Sequence, residues 1–187
     1  MAKVTVTPET FNFVLFDADH IVELVGDLAD RIGLPSDLEI RIEVEERSPL
    51  GRTRVTSLDP VTIYAEGGAF ENAKKIRHLS DRSVNGVCGR LLYRISDRLS
   101  GRFDDAPSDA DLTMPQYTAW DTYAVGRCVR LGLPVSRQRR LYHFRIRHGF
   151  SDVADAVFER LWTADGLSWA DVAAASDEAS EPAHSTS

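Results

Sequence analysis

The stretch DLEIRIEVEE, Asp37 to Glu46, alternates with a period of two. Leu38, Ile40, Ile42 and Val44 fall on one side, and Glu39, Arg41, Glu43 and Glu45 on the other. Successive side chains of a strand point to opposite faces, so this is a strand with one buried and one wet face. Downstream, SPLGR (48–52) turns the chain, and TRVTSL (53–58) and VTIYAE (61–66) read as two more short strands separated by Asp59-Pro60. Upstream, residues 1–16, MAKVTVTPETFNFVLF, read as one or two strands broken at Pro8. Between them, Ile21, Leu24, Val25, Leu28 and Ile32 recur at helical spacing, and Gly33 supplies a stop. The expectation is a small, mostly antiparallel sheet with packed helices in the N-terminal half.

Beyond residue 79 the period changes to that of helices. Ser80 caps a helix whose stripe is Val84, Val87, Cys88, Leu91, Leu92, Ile95 and Leu99, with Gly101 past its end. An acidic loop, RFDDAPSDADLT, leads to a helix from Met114 to about Leu131. Ser136 caps the next, which runs to His148 and stops at Gly149. Ser151 caps DVADAVFERLW, and Ser168 with Asp171 forms a capping box for WADVAAAS. Strands first and helices after make the fold class α+β. The expected organisation is an α+β region over 1–112, a helical region over 113–175 packed on it as one domain, and a disordered tail over 176–187.

The chain has 187 residues and a net charge of −7. Its apolar runs are too short for a transmembrane helix, and its N-terminus lacks the plan of a secretory signal, so a cytoplasmic protein without a membrane role is expected. Nineteen of the 22 basic residues are arginine, with lysine only at 3, 74 and 75, a bias typical of a GC-rich bacterial genome. Cys88 and Cys128 fall on helices among apolar residues and read as reduced core cysteines.

Many chemistries lack their motifs. There is no GxSxG, GxxxxGK[ST] or GxGxxG, no HExxH and no zinc-type Cys/His spacing. Asp104, Asp105, Asp109 and Asp111 do not follow the spacing of a calcium loop. No catalytic residue, metal ligand or cofactor is therefore assigned. Over residues 18–100, the order of helix, amphipathic strand, turn, PVTIYAEGGAFE and long helix resembles small bacterial zincin-like proteins. In that family the long helix carries HExxH, in which two histidines bind zinc and the glutamate is the general base. Here it reads SVNGVCGRLLYR, so the resemblance implies a zincin-like scaffold without the metalloprotease site. A hydrolase-like enzyme with a site around Glu66, Glu71 and His78 is the alternative reading.

The remaining feature is RQRRLYHFRIRHGF, Arg137 to Phe150. Residues 127–148 hold seven arginines and no acid within an acidic chain. The alternation in YHFRIR would also suit a strand, but the Ser136 cap and the Gly149 stop favour a helix. His143 and His148 are five residues apart, which is wrong for two ligands on one helical face. A helix-turn-helix outline is visible, yet Arg140 stands where such a helix needs an apolar docking residue. A structural role is the blander account, in which the arginines neutralise Glu39, Glu43 and Glu45 or the 104–111 loop. The leading expectation is a non-enzymatic binding or accessory protein. Its partner-binding residues are Arg137, Arg139, Arg140, His143, Arg145, Arg147 and His148, and its partner is an anionic macromolecule, an acidic protein surface or nucleic acid.

Overall fold

The structure is a computed structural model and describes residues 1–182. The chain divides into two compact units, one from Met1 to Ser96 and one from Asp97 onward. The division falls inside helix α2, Asp81–Leu99.

The first unit holds β1 (Lys3–Thr7), α1 (Ala18–Ile32), β2 (Glu39–Glu45), β3 (Thr53–Leu58), β4 (Val61–Glu66), β5 (Glu71–Asn72), β6 (Lys75–Leu79) and most of α2. The α+β class stands. In β2, Ile40, Ile42 and Val44 are buried while Arg41, Glu43 and Glu45 are exposed, as the alternation requires. The four-stranded sheet has the order β1-β2-β4-β3 and is mixed rather than mostly antiparallel. β1 runs parallel to β2 with Val6 beside Ile42, and β2 runs parallel to β4 with Ile42 beside Ile63. Only β3 is antiparallel, with Val55 beside Ile63. The cause is topological. The helix α1 lies between β1 and β2 in the chain, and a helical crossover returns the chain in the same direction. Nothing in a period-two pattern records the direction of a neighbouring strand. On β4, Val61, Thr62, Ile63, Ala65 and Glu66 are all buried, so this central strand loses the alternation altogether.

Helix α1 takes its N-cap from Asp17, whose carboxylate accepts from the Asp19 and His20 amides, and ends at Gly33 with φ +84°. The GG pair of EGGAF has a packing reason. A Cβ on Gly68 would lie 2.1 Å from the Pro49 carbonyl oxygen, and the Gly68 N–H donates to the Ser48 carbonyl at 3.3 Å. Only glycine lets the short 3-10 turn Gly67–Ala69 approach the 48–50 loop so closely. The β5–β6 hairpin was invisible to patterning, because residues 73–78 are all exposed and carry no buried face to mark a period.

The second unit contains the end of α2, α3 (Met114–Arg130), α4 (Arg137–His148), α5 (Asp152–Thr163) and α6 (Trp169–Ala179). Its core joins Phe103, Trp120, Tyr123, Phe144, Phe158 and Trp169, with Phe103 and Trp120 stacked at 4.8 Å. The caps expected at Ser136, at Ser151 and at Ser168 with Asp171 are present, and Thr113 with Gln116 forms a further capping box at α3. The stretch from 176 begins as helix, not as disordered tail, because Ser176 and Ala179 are buried on the inner face of α6. Residues 183–187 of that expected tail lie outside the described residues. Cys88 and Cys128 are both buried, and burial pushes the Cys88 thiol up to about 12.

Among the described residues, no helix is long and apolar enough to cross a membrane, and no group of three His, Cys, Asp or Glu side chains is placed to hold a metal ion.

Candidate functional site

Helix α4 carries no acidic residue and is capped by Ser136, whose hydroxyl accepts from the Arg139 amide at 3.3 Å. Its basic side chains divide into three groups by what they touch.

The first group is bound within the second unit. Arg145 makes a two-pronged bond to Asp155, Nε to Oδ1 at 2.8 Å and Nη2 to Oδ2 at 2.7 Å. That bond holds the Asp155 carboxyl below the usual carboxylate range. Arg137 pairs with Glu159 and lies over the Phe158 ring, 5.4 Å from its centroid. Arg140 stands 3.9 Å from the buried Asp121 of α3. The position that a helix-turn-helix fills with an apolar contact is thus filled by a charge pair. These carboxylates belong to α3 and α5, not to the β2 glutamates or the 104–111 loop. That loop has its own cation: Arg98 pairs with Asp109 at 3.0 Å and donates to the Pro107 carbonyl at 2.8 Å.

The second group is a single residue in the core. His148 is buried, stacked on Phe144 with ring centroids 4.0 Å apart. Its Nδ1 lies 3.1 Å from the Phe144 carbonyl and its Nε2 3.0 Å from the Ser176 hydroxyl. A carbonyl only accepts, so Nδ1 carries the proton and Nε2 accepts from Ser176. His148 therefore joins α4 to α6 and does not reach the surface expected to meet a partner.

The third group is open. Arg139, His143 and Arg147 are exposed, and neither arginine has an ion pair among the described residues. Arg140, His143 and Arg147 line one side of a small groove of about 180 Å³, and Thr118, Asp121 and Thr122 of α3 line the other. Beside them, Tyr142 is 56% exposed, Ile146 48% and Phe150 69%, and the Phe150 ring meets Tyr142 edge-on at 6.3 Å. Residues 139, 142, 143, 146 and 147 follow helical spacing, and Phe150, just past the helix end, adds its ring beside Tyr142, so the outer face of α4 and its C-terminal end combine two free guanidinium groups with exposed aromatic and aliphatic side chains. The cluster of arginines and its cap were legible in the sequence. The apolar ridge was missed, because only the packing of Phe144 and His148 inward shows which face looks outward.

Of the residues of the enzymatic alternative, Glu66 and Glu71 hold backbone amides. The buried Glu66 carboxylate accepts from the Arg52 amide at 3.0 Å, and Glu71 accepts from the Arg77 amide at 3.1 Å. His78 is exposed on β6.

Both histidines of α4 lie below their ordinary value of 6.5, His148 through burial and His143 through burial and then Arg140, Arg139 and Arg147. A lowered folded-state value means that protons favour the unfolded chain. Stability is then level above about 6.5 and declines as pH falls through the window beneath it. All three tryptophans (120, 162 and 169) lie in the second unit, so their fluorescence reports on it alone. The urea midpoint read from tryptophan should fall between pH 7 and about 5, and His148→Gln should flatten that fall. An unchanged slope in the variant would remove His148 as its source.

Compared with protein-family models, with curated proteins and with solved structures, the chain matches none.

Proposed function

We propose that this is a non-enzymatic binding or accessory protein that docks an acidic, partly apolar segment of another protein on the outer face of α4. The observation that carries this reading is the composition of that face. Arg139 and Arg147 flank Tyr142, His143 and Ile146, and Phe150 follows just past the helix end, all exposed, with no carboxylate on the helix. Arginine and tyrosine are the residues most often found at the energetic centre of protein interfaces, with charged residues of the opposite sign on the partner. Nucleic acid is the weaker candidate. Ile146 and Phe150 gain nothing from a phosphate backbone, and a chain of net charge −7 repels a polyanion as a whole. Arg137, Arg140 and Arg145 support the fold in this reading.

Two double variants test it. Arg139→Gln with Arg147→Gln removes the free charges, and Ile146→Ser with Phe150→Ser removes the ridge. Each should leave the melting temperature nearly unchanged, since exposed positions contribute within about 0.5 kcal/mol. Each should also release a partner captured from lysate by the unaltered chain, and that capture should survive nuclease treatment. Loss of capture on nuclease treatment, or indifference to the apolar pair, would overturn the protein-docking reading.

A further inference from the structure

Within the first unit a second feature stands apart from α4. A cleft of about 560 Å³ opens between the 13–14 segment, the 46–49 loop and the β5–β6 hairpin. That volume is within the range of small-molecule sites, roughly 300 to 1,000 Å³. Its walls are apolar where Phe13, Val14, Pro49 and Ile76 line it. Ile76 is 81% exposed and Phe13 49%, an unusual cost for large apolar side chains at one mouth.

The charges in the cleft are unequal in availability. Glu46 and Glu71 both line it, but their carboxylates hold backbone. Glu46 Oε2 accepts from the Asn12 and Phe13 amides at 2.8 and 2.7 Å, and Glu71 Oε1 accepts from the Arg77 amide at 3.1 Å. Arg47 and Arg77 line the same cleft, and neither has an ion pair among the described residues. The Arg47 guanidinium lies over the Phe13 ring, 4.5 Å from its centroid, which fixes its plane and leaves its N–H edge open.

Arg77 adds an independent observation. Its φ of +67° is the only left-handed value at a non-glycine among the described residues. That conformation costs about 1–3 kcal/mol when surroundings impose it, and such strain concentrates at ligand-binding positions. Here the imposition is visible. The Arg77 amide is held by Glu71, and its carbonyl accepts from the Leu15 amide at 2.7 Å. Both backbone groups are pinned, and the side chain they carry lines the cleft.

We infer that this cleft binds a small amphipathic oxyanion, with its apolar body against Phe13, Val14, Pro49 and Ile76 and its carboxylate or phosphoryl head between Arg47 and Arg77. A guanidinium fork matches either head group. The site does not depend on the α4 reading.

The test is a titration of the isotope-labelled full chain with octanoate, octyl phosphate and the neutral octyl glucoside, each below its micelle concentration, read by amide chemical shifts. The expected result is saturable shifts at residues 13–14, 46–48 and 76–77, with at least one anion binding about tenfold or more tightly than the glucoside. The tighter of the two anions assigns the head group. Arg47→Gln and Arg77→Gln should each weaken that anion by about tenfold, and Arg47→Lys should do so in part. Arg77→Gly relieves the strain, so it should raise the melting temperature while weakening the anion as much as Arg77→Gln does. Equal affinity for anion and glucoside would overturn the inference. So would shifts confined to α4, no binding by either anion, or Arg77→Gly binding as well as the unaltered chain.

Discussion

Gly126→Ala is expected to lower the melting temperature by roughly 6–12 °C, because a single methyl group must enter a backbone contact that has no room for it. Gly126 lies in the middle of α3, where alanine would ordinarily stabilise a helix by about 1 kcal/mol. Here a Cβ would stand 2.1 Å from the Trp162 carbonyl oxygen and 2.8 Å from its carbonyl carbon. The obstacle is backbone of α5, not the flexible end of a side chain, so the helices must separate. Separation would also disturb Arg130, whose Nη1 donates to the same Trp162 carbonyl at 2.6 Å. Overpacking of this kind costs about 3 kcal/mol even after the helix-propensity gain is deducted. Gly132→Ala is the control. Unlike Gly126, it must adopt a left-handed φ, +84°, yet nothing lies within 4 Å of its Cβ. It should cost only about 1–2 kcal/mol, the conformational penalty alone. Tryptophan fluorescence on heating distinguishes the two, and equal losses would show that backbone contact between α3 and α5 is not the constraint.

Asp97→Ala should be at least as damaging. The carboxylate is buried and receives three donors: Trp120 Nε1 at 2.7 Å, Arg127 Nη1 at 2.7 Å and Arg127 Nη2 at 2.8 Å. Arg127 is nearly buried as well, its guanidinium 3.7 Å from the Tyr123 ring centroid. Removing one member of a buried pair leaves the other charge without compensation, at a cost of about 3–5 kcal/mol. The pair itself need not be strongly stabilising, since desolvating two ions offsets most of their attraction. The double variant Asp97→Ala with Arg127→Met therefore discriminates. It should recover a substantial part of the loss, because it removes the stranded charge and restores apolar packing. A double variant worse than Asp97→Ala would show that Arg127 has another role of equal weight.

Asp97 and Arg127 also show where patterning stops. In sequence, Arg127 is the first of seven arginines in an acid-free run, and nothing local marks it as different from Arg139. Thirty residues separate it from the carboxylate that takes up its charge. The same holds for Arg145 and Arg137, whose partners lie on the next helix, and for Arg140, whose partner lies on the preceding one.

The sequence by itself determined whatever depends on neighbours one to four residues apart. That covers the α+β order, the buried face of β2, the caps of α4 to α6 and the glycine ends of α1 and α4. It also covers the concentration of arginine on α4. These are local because strand alternation, helical stripes and capping hydrogen bonds all close within a turn or two. The tertiary structure alone decided the rest. The parallel pairing of β1, β2 and β4 follows from how crossovers return the chain. The core position of His148 depends on Ser176 of α6. The division of the arginines into paired and open groups depends on carboxylates brought in by α3 and α5. The cleft beside Arg77 depends on three segments meeting, one of them a hairpin with no buried face. Each of these joins residues far apart in the chain, and no period or motif records a contact that only packing creates.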